Sequence, residues 1–286
     1  MALRPTDDLP PTDLPPTDRR LPAQRLTRDG RVMAVEESVA AEVPVALVYN
    51  GISYAVMMAS PADLEDFALG FSLTEGLAGA PSDLTVQEIV ADDERGIEVR
   101  MSLRGEHFAQ MLQKVRNITG RTGCGICGTS DLDTLHGRKR QSPKPIVVER
   151  AAIRAALDDL DRFQDVRSRT GAVHAAAWVD ARGRIQLVRE DVGRHNALDK
   201  LIGALARAGI DGGQGFCLIT SRCSFEMVQK TAAAGIPLLV AISAPTTLAI
   251  DTAKAAGVTL IAFARGDGMT AYTDFSTLLP AKVEAA

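Results

Sequence analysis

The chain has 286 residues, 46% of them apolar and 24% charged, with a net charge of −4. That is the composition of a folded protein with room for one large unit or two modest ones, and it excludes collagen, coiled coil and wholesale disorder. The acidic balance argues against a dedicated nucleic-acid binder, and four cysteines are too few for a disulfide scaffold of this length.

Six of the 14 prolines fall in the first 22 residues, where Pro-Thr-Asp recurs at 5–7, 11–13 and 16–18. Such a segment buries too little to repay its ordering, so residues 1–28 are expected to form a disordered tail. From Arg31 the pattern turns to strands. Residues 45–49 and 52–58 flank Asn50-Gly51, a pair suited to a turn with positive φ, and predict a hairpin. Ser60-Pro61 reads as a helix cap, and Leu64, Phe67, Ala68 and Phe71 give a helical stripe ending near Gly76. A second hairpin over 84–103 and a helix over 107–116 complete an α+β unit spanning 29–116. Residues 117–145 hold five glycines and no periodicity, and read as a mobile loop between two halves.

The second half, 146–286, alternates. A helix over 149–163 precedes paired strands at 174–180 and 184–189. Helices over 195–207, 225–234 and 247–255 then alternate with strands over 215–220, 238–243 and 258–263. Short apolar strands between helices predict an α/β unit with a largely parallel sheet covered on both faces. The N-terminus has no apolar run of signal-peptide form. The longest apolar stretch, 232–245, is broken by Gly235, Pro237 and Ser243, short of the roughly 20 residues of a membrane span. A cytoplasmic protein with reduced thiols, touching neither membrane nor nucleic acid, is expected.

The sharpest chemical feature is Arg121-Thr-Gly-Cys124-Gly-Ile-Cys127-Gly128. Two thiols so spaced can share a metal, form a disulfide or pass sulfur between them. Between Lys114 and Lys144 seven Lys and Arg face only Asp131 and Asp133, and positive surroundings favour the nucleophilic thiolate. Half of a structural zinc site remains an alternative, although two further ligands would be needed and no second CxxC is present. Cys217 sits in an apolar strand and reads as inert packing.

In an open α/β sheet, ligands bind beyond the carboxyl ends of the strands, where helix N-termini offer free N–H groups. Three such loops here carry hydroxyls, glycines or Arg: 220–224 with Arg222, 243–247 with Thr246, and 263–268 with Arg265. Together they suit a phosphate-bearing ligand, although Ser and Thr also serve simply as helix caps. Glu190-Asp-Val-Gly-Arg-His-Asn196, at a strand–helix junction, offers Arg194 and His195 for an anion or a proton, or merely acids for a helix dipole. His174 reads as a satisfied core histidine, and His107 and His136 as surface residues. The His-x-Glu and Pro-Cys-x-x-Cys of zinc nucleoside deaminases are not encoded: Ala175 and Ala176 follow His174, and no proline precedes Cys124.

The motif Glu190-Asp-Val-Gly-Arg-His-Asn-Ala-Leu-Asp-Lys200 resembles the signature of the FdhD family, sulfur-carrier accessory proteins of formate dehydrogenase. So do Glu42-Val-Pro-Val-Ala-Leu-Val-Tyr-Asn-Gly51, Arg121–Gly128 and Phe225-Glu-Met-Val-Gln-Lys230, in family order from about Glu37 to Tyr272. The resemblance implies a sulfurtransferase-like carrier that takes persulfide sulfur from a cysteine desulfurase. Its cargo would be the molybdenum bis(molybdopterin guanine dinucleotide) cofactor, sulfurated before insertion into formate dehydrogenase, with no permanently bound metal. It implies catalytic roles for Cys124, as the persulfide cysteine, and Cys127, as helper. Cofactor binding would fall to Phe263, Ala264, Arg265, Gly266, Asp267 and Gly268. A cytidine-deaminase-like C-terminal domain and a homodimer are implied as well. The alternatives are a non-covalent chaperone for that cofactor, a structural zinc protein and a dithiol oxidoreductase.

Overall fold

The computed structural model describes residues 14–119, 142–266, 268–273 and 278–279. It is a mixed α/β protein built as two packed units.

The first unit holds a four-stranded sheet ordered β4-β3-β6-β5, from β3 (Val43–Tyr49), β4 (Ile52–Ala59), β5 (Leu84–Asp92) and β6 (Gly96–Leu103). Both expected hairpins are present, and Asn50 and Gly51 take φ values of 49° and 84° at the first turn. Alternate residues Val45, Leu47 and Tyr49 turn inward against Phe67, Ala68 and Phe71 of helix α1 (Leu64–Thr74). Helix α2 (Gly105–Thr119) closes the same core with Met111.

Two expectations are corrected here. The tail does not run to residue 28: Asp18–Leu26 form β1, paired antiparallel with β2 (Val32–Ala40). Arg169 fastens this ribbon by donating to Asp18 at 2.8 Å. Ser60-Pro61 does not cap α1 either; the N-cap is Asp63, with φ 53°, which frees Ser60 for the other unit.

The second unit is a six-stranded sheet ordered β13-β12-β11-β10-β8-β9. Its strands are β8 (His174–Asp180), β9 (Ile185–Asp191), β10 (Gly215–Ile219), β11 (Leu238–Ala241), β12 (Thr259–Arg265) and β13 (Gly268–Ala271). The sheet is mixed rather than largely parallel: β10–β11 and β11–β12 are parallel, while β8–β9, β8–β10 and β12–β13 are antiparallel. The parallel neighbours are joined by helical crossovers, β8–β9 and β12–β13 are hairpins, and β10 returns antiparallel beside β8 after α5.

Both faces are covered, as expected. Helix α3 (Arg150–Asp159) packs on Phe216, Leu218 and Val240, and the short α4 (Asp165–Thr170) follows it. On the other face, α5 (Arg194–Arg207), α6 (Phe225–Ala233) and α7 (Thr247–Ala256) cover Cys217, Ile219 and Leu239. A two-residue pair, β7 (Val148–Glu149) with β14 (Leu278–Leu279), completes the described strands.

Helix α1 joins the units by crossing α5 at two glycines. A Cβ at Gly70 would lie 1.8 Å from the Asp199 carbonyl oxygen, and one at Gly203 would lie 1.9 Å from that of Asp66. The helices therefore touch backbone to backbone. No helix among the described residues is long and apolar enough to cross a membrane.

Candidate functional site

The ends of β9, β10, β11 and β12 reach one edge of the six-stranded sheet, because His174, which starts β8, lies opposite Asp191, which ends β9. Backbone hydrogen bonds lace the loops at this edge together. The Thr220 amide donates to the Ala175 carbonyl (3.1 Å), that of Cys223 to Ala244 (3.0 Å), that of Thr246 to Cys223 (3.0 Å) and that of Phe263 to Ser243 (3.1 Å). Thr246 caps α7 through its hydroxyl, which accepts from the Ala249 amide, so one hydroxyl of the set does ordinary capping.

The loop after β12 is the most distorted. Phe263 has a φ of 51° and its side chain is 39% exposed. A non-glycine residue in this region is strained, and such strain gathers at functional sites. The irregularity also breaks the strand's alternation: Ala262 packs with α5–α7, whereas Ala264 joins the α3 face. Arg265, Gly266 and Gly268 are exposed, Ala264 is buried, and Arg154 on α3 donates to the Gly266 carbonyl at 3.1 Å. Asp267, Cys124, Cys127 and His136 lie outside the described residues.

The 190–200 motif divides into two parts. One part faces inward and fastens the units. Lys200 and Asp191, both fully buried, approach to 2.7 Å, and Lys200 also donates to the Ser60 carbonyl. Asp191 accepts from the amides of Ser60 and Gly193 and from Asn196, whose Nδ2 also reaches the Met58 carbonyl at 2.8 Å. Asp199 binds Lys230, which reaches Thr74 as well as Glu75, and Asp66 receives Arg189 and Arg207. Replacing one member of such a buried pair leaves an uncompensated charge, at a cost of about 3–5 kcal/mol.

The other part faces the edge. His195 meets Glu226 at 3.1 Å, and Ser224 donates to the same carboxylate oxygen. Burial, then the Arg194 charge, holds the His195 pKa below its ordinary value despite Glu226. His174 is held down in the same way, by burial and then by Arg194 and Arg167. His174 is not the satisfied core histidine expected: its buried Nδ1 has no hydrogen-bond partner among the described residues. His107 touches Asp83 at 3.2 Å.

Cys217 is fully buried, which drives its thiol pKa up, and Cys223 is pushed up to about 12, so burial disfavours the nucleophilic thiolate at both. Among the described residues no group of three His, Cys, Asp or Glu could hold a metal ion. Two clefts, of about 410 and 420 Å³, line the outer face of the first sheet near Arg100 and the groove beside Leu73 and Ile210. No edge residue lines either of them.

Residues 40–279 match the model of the FdhD/NarQ family. The chain belongs to that family. It is 51% identical over 249 residues to the sulfur carrier protein FdhD of Xanthomonas euvesicatoria pv. vesicatoria (strain 85-10), covering 87% of this chain and 88% of the relative. It is 50% identical over 250 residues to the sulfur carrier protein FdhD of Cupriavidus necator, covering 86% and 85%. A crystal structure of a candidate formate dehydrogenase accessory protein from Desulfotalea psychrophila superposes with a TM-score of 0.72 at 23% identity, over 92% of this chain and 100% of that one. At that identity the likeness speaks for the fold alone. Within the FdhD/NarQ chain, sequence reasoning located the edge loops but missed Arg154 and the inward half of the 190–200 motif. Arg154 meets Gly266 across 112 residues, and Asp191, Asn196 and Lys200 reach Ser60 and Met58 across 131 to 140, so no local signal marks these contacts.

Proposed function

We propose that this FdhD/NarQ chain is a sulfur carrier in the maturation of formate dehydrogenase. It takes sulfur from a cysteine desulfurase on Cys124 and hands it to the molybdenum bis(molybdopterin guanine dinucleotide) cofactor. The observation that carries this reading is near full-length identity of about half to relatives named as sulfur carriers, in a chain that has the CxxC pair.

In the first step the Cys124 thiolate attacks the outer sulfur of the desulfurase persulfide. The S–S bond there breaks, the desulfurase cysteine leaves as thiolate, and Cys124 carries the persulfide with no net oxidation. Cys127 is the helper thiol. The cargo would rest at the carboxyl edge, where Phe263 offers a ring face and Arg222 and Arg265 offer exposed cations to its phosphates. A cytidine-deaminase-like fold for the second unit, a homodimer and a cytoplasmic location belong to the same proposal.

Peptide mass spectrometry after incubation with a cysteine desulfurase and cysteine tests it. Trypsin releases residues 122–138, which hold Cys124 and Cys127 and no other cysteine. An added sulfur on that peptide, absent in Cys124→Ala, is expected. An unmodified peptide from an active desulfurase mixture would overturn the carrier in favour of the non-covalent chaperone.

A further inference from the structure

At the β8–β9 end of the carboxyl edge, three elements bring basic side chains together: His174 from the start of β8, Arg167 from α4 and Arg194 from the first turn of α5. Both guanidinium charges act on the His174 imidazole. The acids beside them are already engaged. Glu190 accepts from the amides of Val166 and Arg167 (2.8 and 2.9 Å), and Asp191 is held by Lys200, Asn196 and the Ser60 and Gly193 amides. Glu226 serves His195 and Ser224, and Asp165 lies on α4 with Arg167 and acts on Arg169.

Neither Arg167 nor Arg194 therefore has an ion partner among the described residues. Among the described residues the buried Arg194 Nε and His174 Nδ1 have no hydrogen-bond partner. Buried polar groups are nearly always satisfied, so an orphaned pair in a cationic cluster signals a missing acceptor.

We propose that Arg194, His174 and Arg167 form a binding site for a phosphate-class oxyanion. The site is distinct from the 263–268 loop, since β8 and β12 are three strand spacings apart, about 14 Å. It does not depend on the sulfur-carrier reading, because it contains no cysteine and needs no sulfur chemistry. Arg194 presents its guanidinium fork to the oxyanion. His174, neutral in the free protein, takes up a proton as the anion arrives.

Calorimetric titration of the full chain with inorganic phosphate at low ionic strength tests this, run in two buffers of different ionisation enthalpy. Saturable binding is expected, weakened at least tenfold in Arg194→Gln, less in Arg194→Lys, and unchanged in Arg182→Gln, an exposed arginine in the β8–β9 turn. The buffer dependence should report proton uptake that disappears in His174→Gln. That second variant keeps the test open should Arg194→Gln fail to fold. No saturable binding, equal weakening in Arg182→Gln, or binding without proton uptake would overturn the site. Persulfide formation on peptide 122–138 is measured separately, so either idea can fail without the other.

Discussion

The seam between the two units and the carboxyl edge of the six-stranded sheet handle charge in opposite ways. At the seam, Asp66, Arg189, Arg207, Asp191, Lys200, Asp199 and Lys230 are all paired, and α1 lies on α5 with only glycine between the backbones. At the edge, Arg194, Arg222 and Arg265 have no ion partner among the described residues, and Phe263 keeps a strained backbone with its ring turned to solvent. The 190–200 motif serves both regions. Asp191, Asn196, Asp199 and Lys200 lock the units, while the partly buried Arg194 and His195 belong to the carboxyl edge. One motif thus fixes the platform and contributes to its carboxyl edge, and substitutions in its two halves should separate into stability effects and binding effects.

The sharpest way to break that division is Lys200→Met. It leaves Asp191 charged and fully buried, and should cost about 3–5 kcal/mol in urea unfolding. Adding Asp191→Leu should restore part of the loss. Gly203→Ala comes next: its Cβ meets the Asp66 carbonyl, and prising α1 from α5 should cost about 3 kcal/mol. Gly105→Ala, in open space, should change stability by less than about 0.5 kcal/mol. At the edge the pattern reverses. Phe263→Gly relieves a positive φ and should leave stability within about 1 kcal/mol of the parent, yet weaken guanine-nucleotide binding in a fluorescence titration.

The smallest effect concerns pH. His174 and His195 are both held below the ordinary value of 6.5, so the folded state refuses protons that the unfolded chain accepts. Their contribution is complete above about pH 6.5 and is lost as pH falls toward the folded values. The double variant His174→Gln, His195→Gln should show a flatter stability profile between about pH 7 and about pH 5.

Local chemistry made much of the fold legible. Asn50-Gly51 announces its hairpin because both residues must take positive φ, and the α/β alternation shows through apolar runs matched to helical stripes. Strand direction was not legible, since a buried strand has the same pattern whether its neighbour is parallel or antiparallel. The β1–β2 ribbon was hidden because both strands are largely exposed and their tie to the second unit, Arg169 with Asp18, spans 151 residues. At the site, the edge loops were visible as polar interruptions after apolar strands. The bulge at Phe263 and the orphaned nitrogens of His174 and Arg194 arise only from packing.

The most direct test of the central claim follows labelled sulfur. The full chain is loaded from [35S]cysteine by a cysteine desulfurase, freed of the desulfurase, and mixed with unsulfurated cofactor and apo formate dehydrogenase. The carrier account predicts that label leaves peptide 122–138 and appears on the cofactor as activity rises, with neither change in Cys124→Ala. Activity that rises equally with Cys124→Ala, or label that stays on the peptide while activity appears, would contradict it.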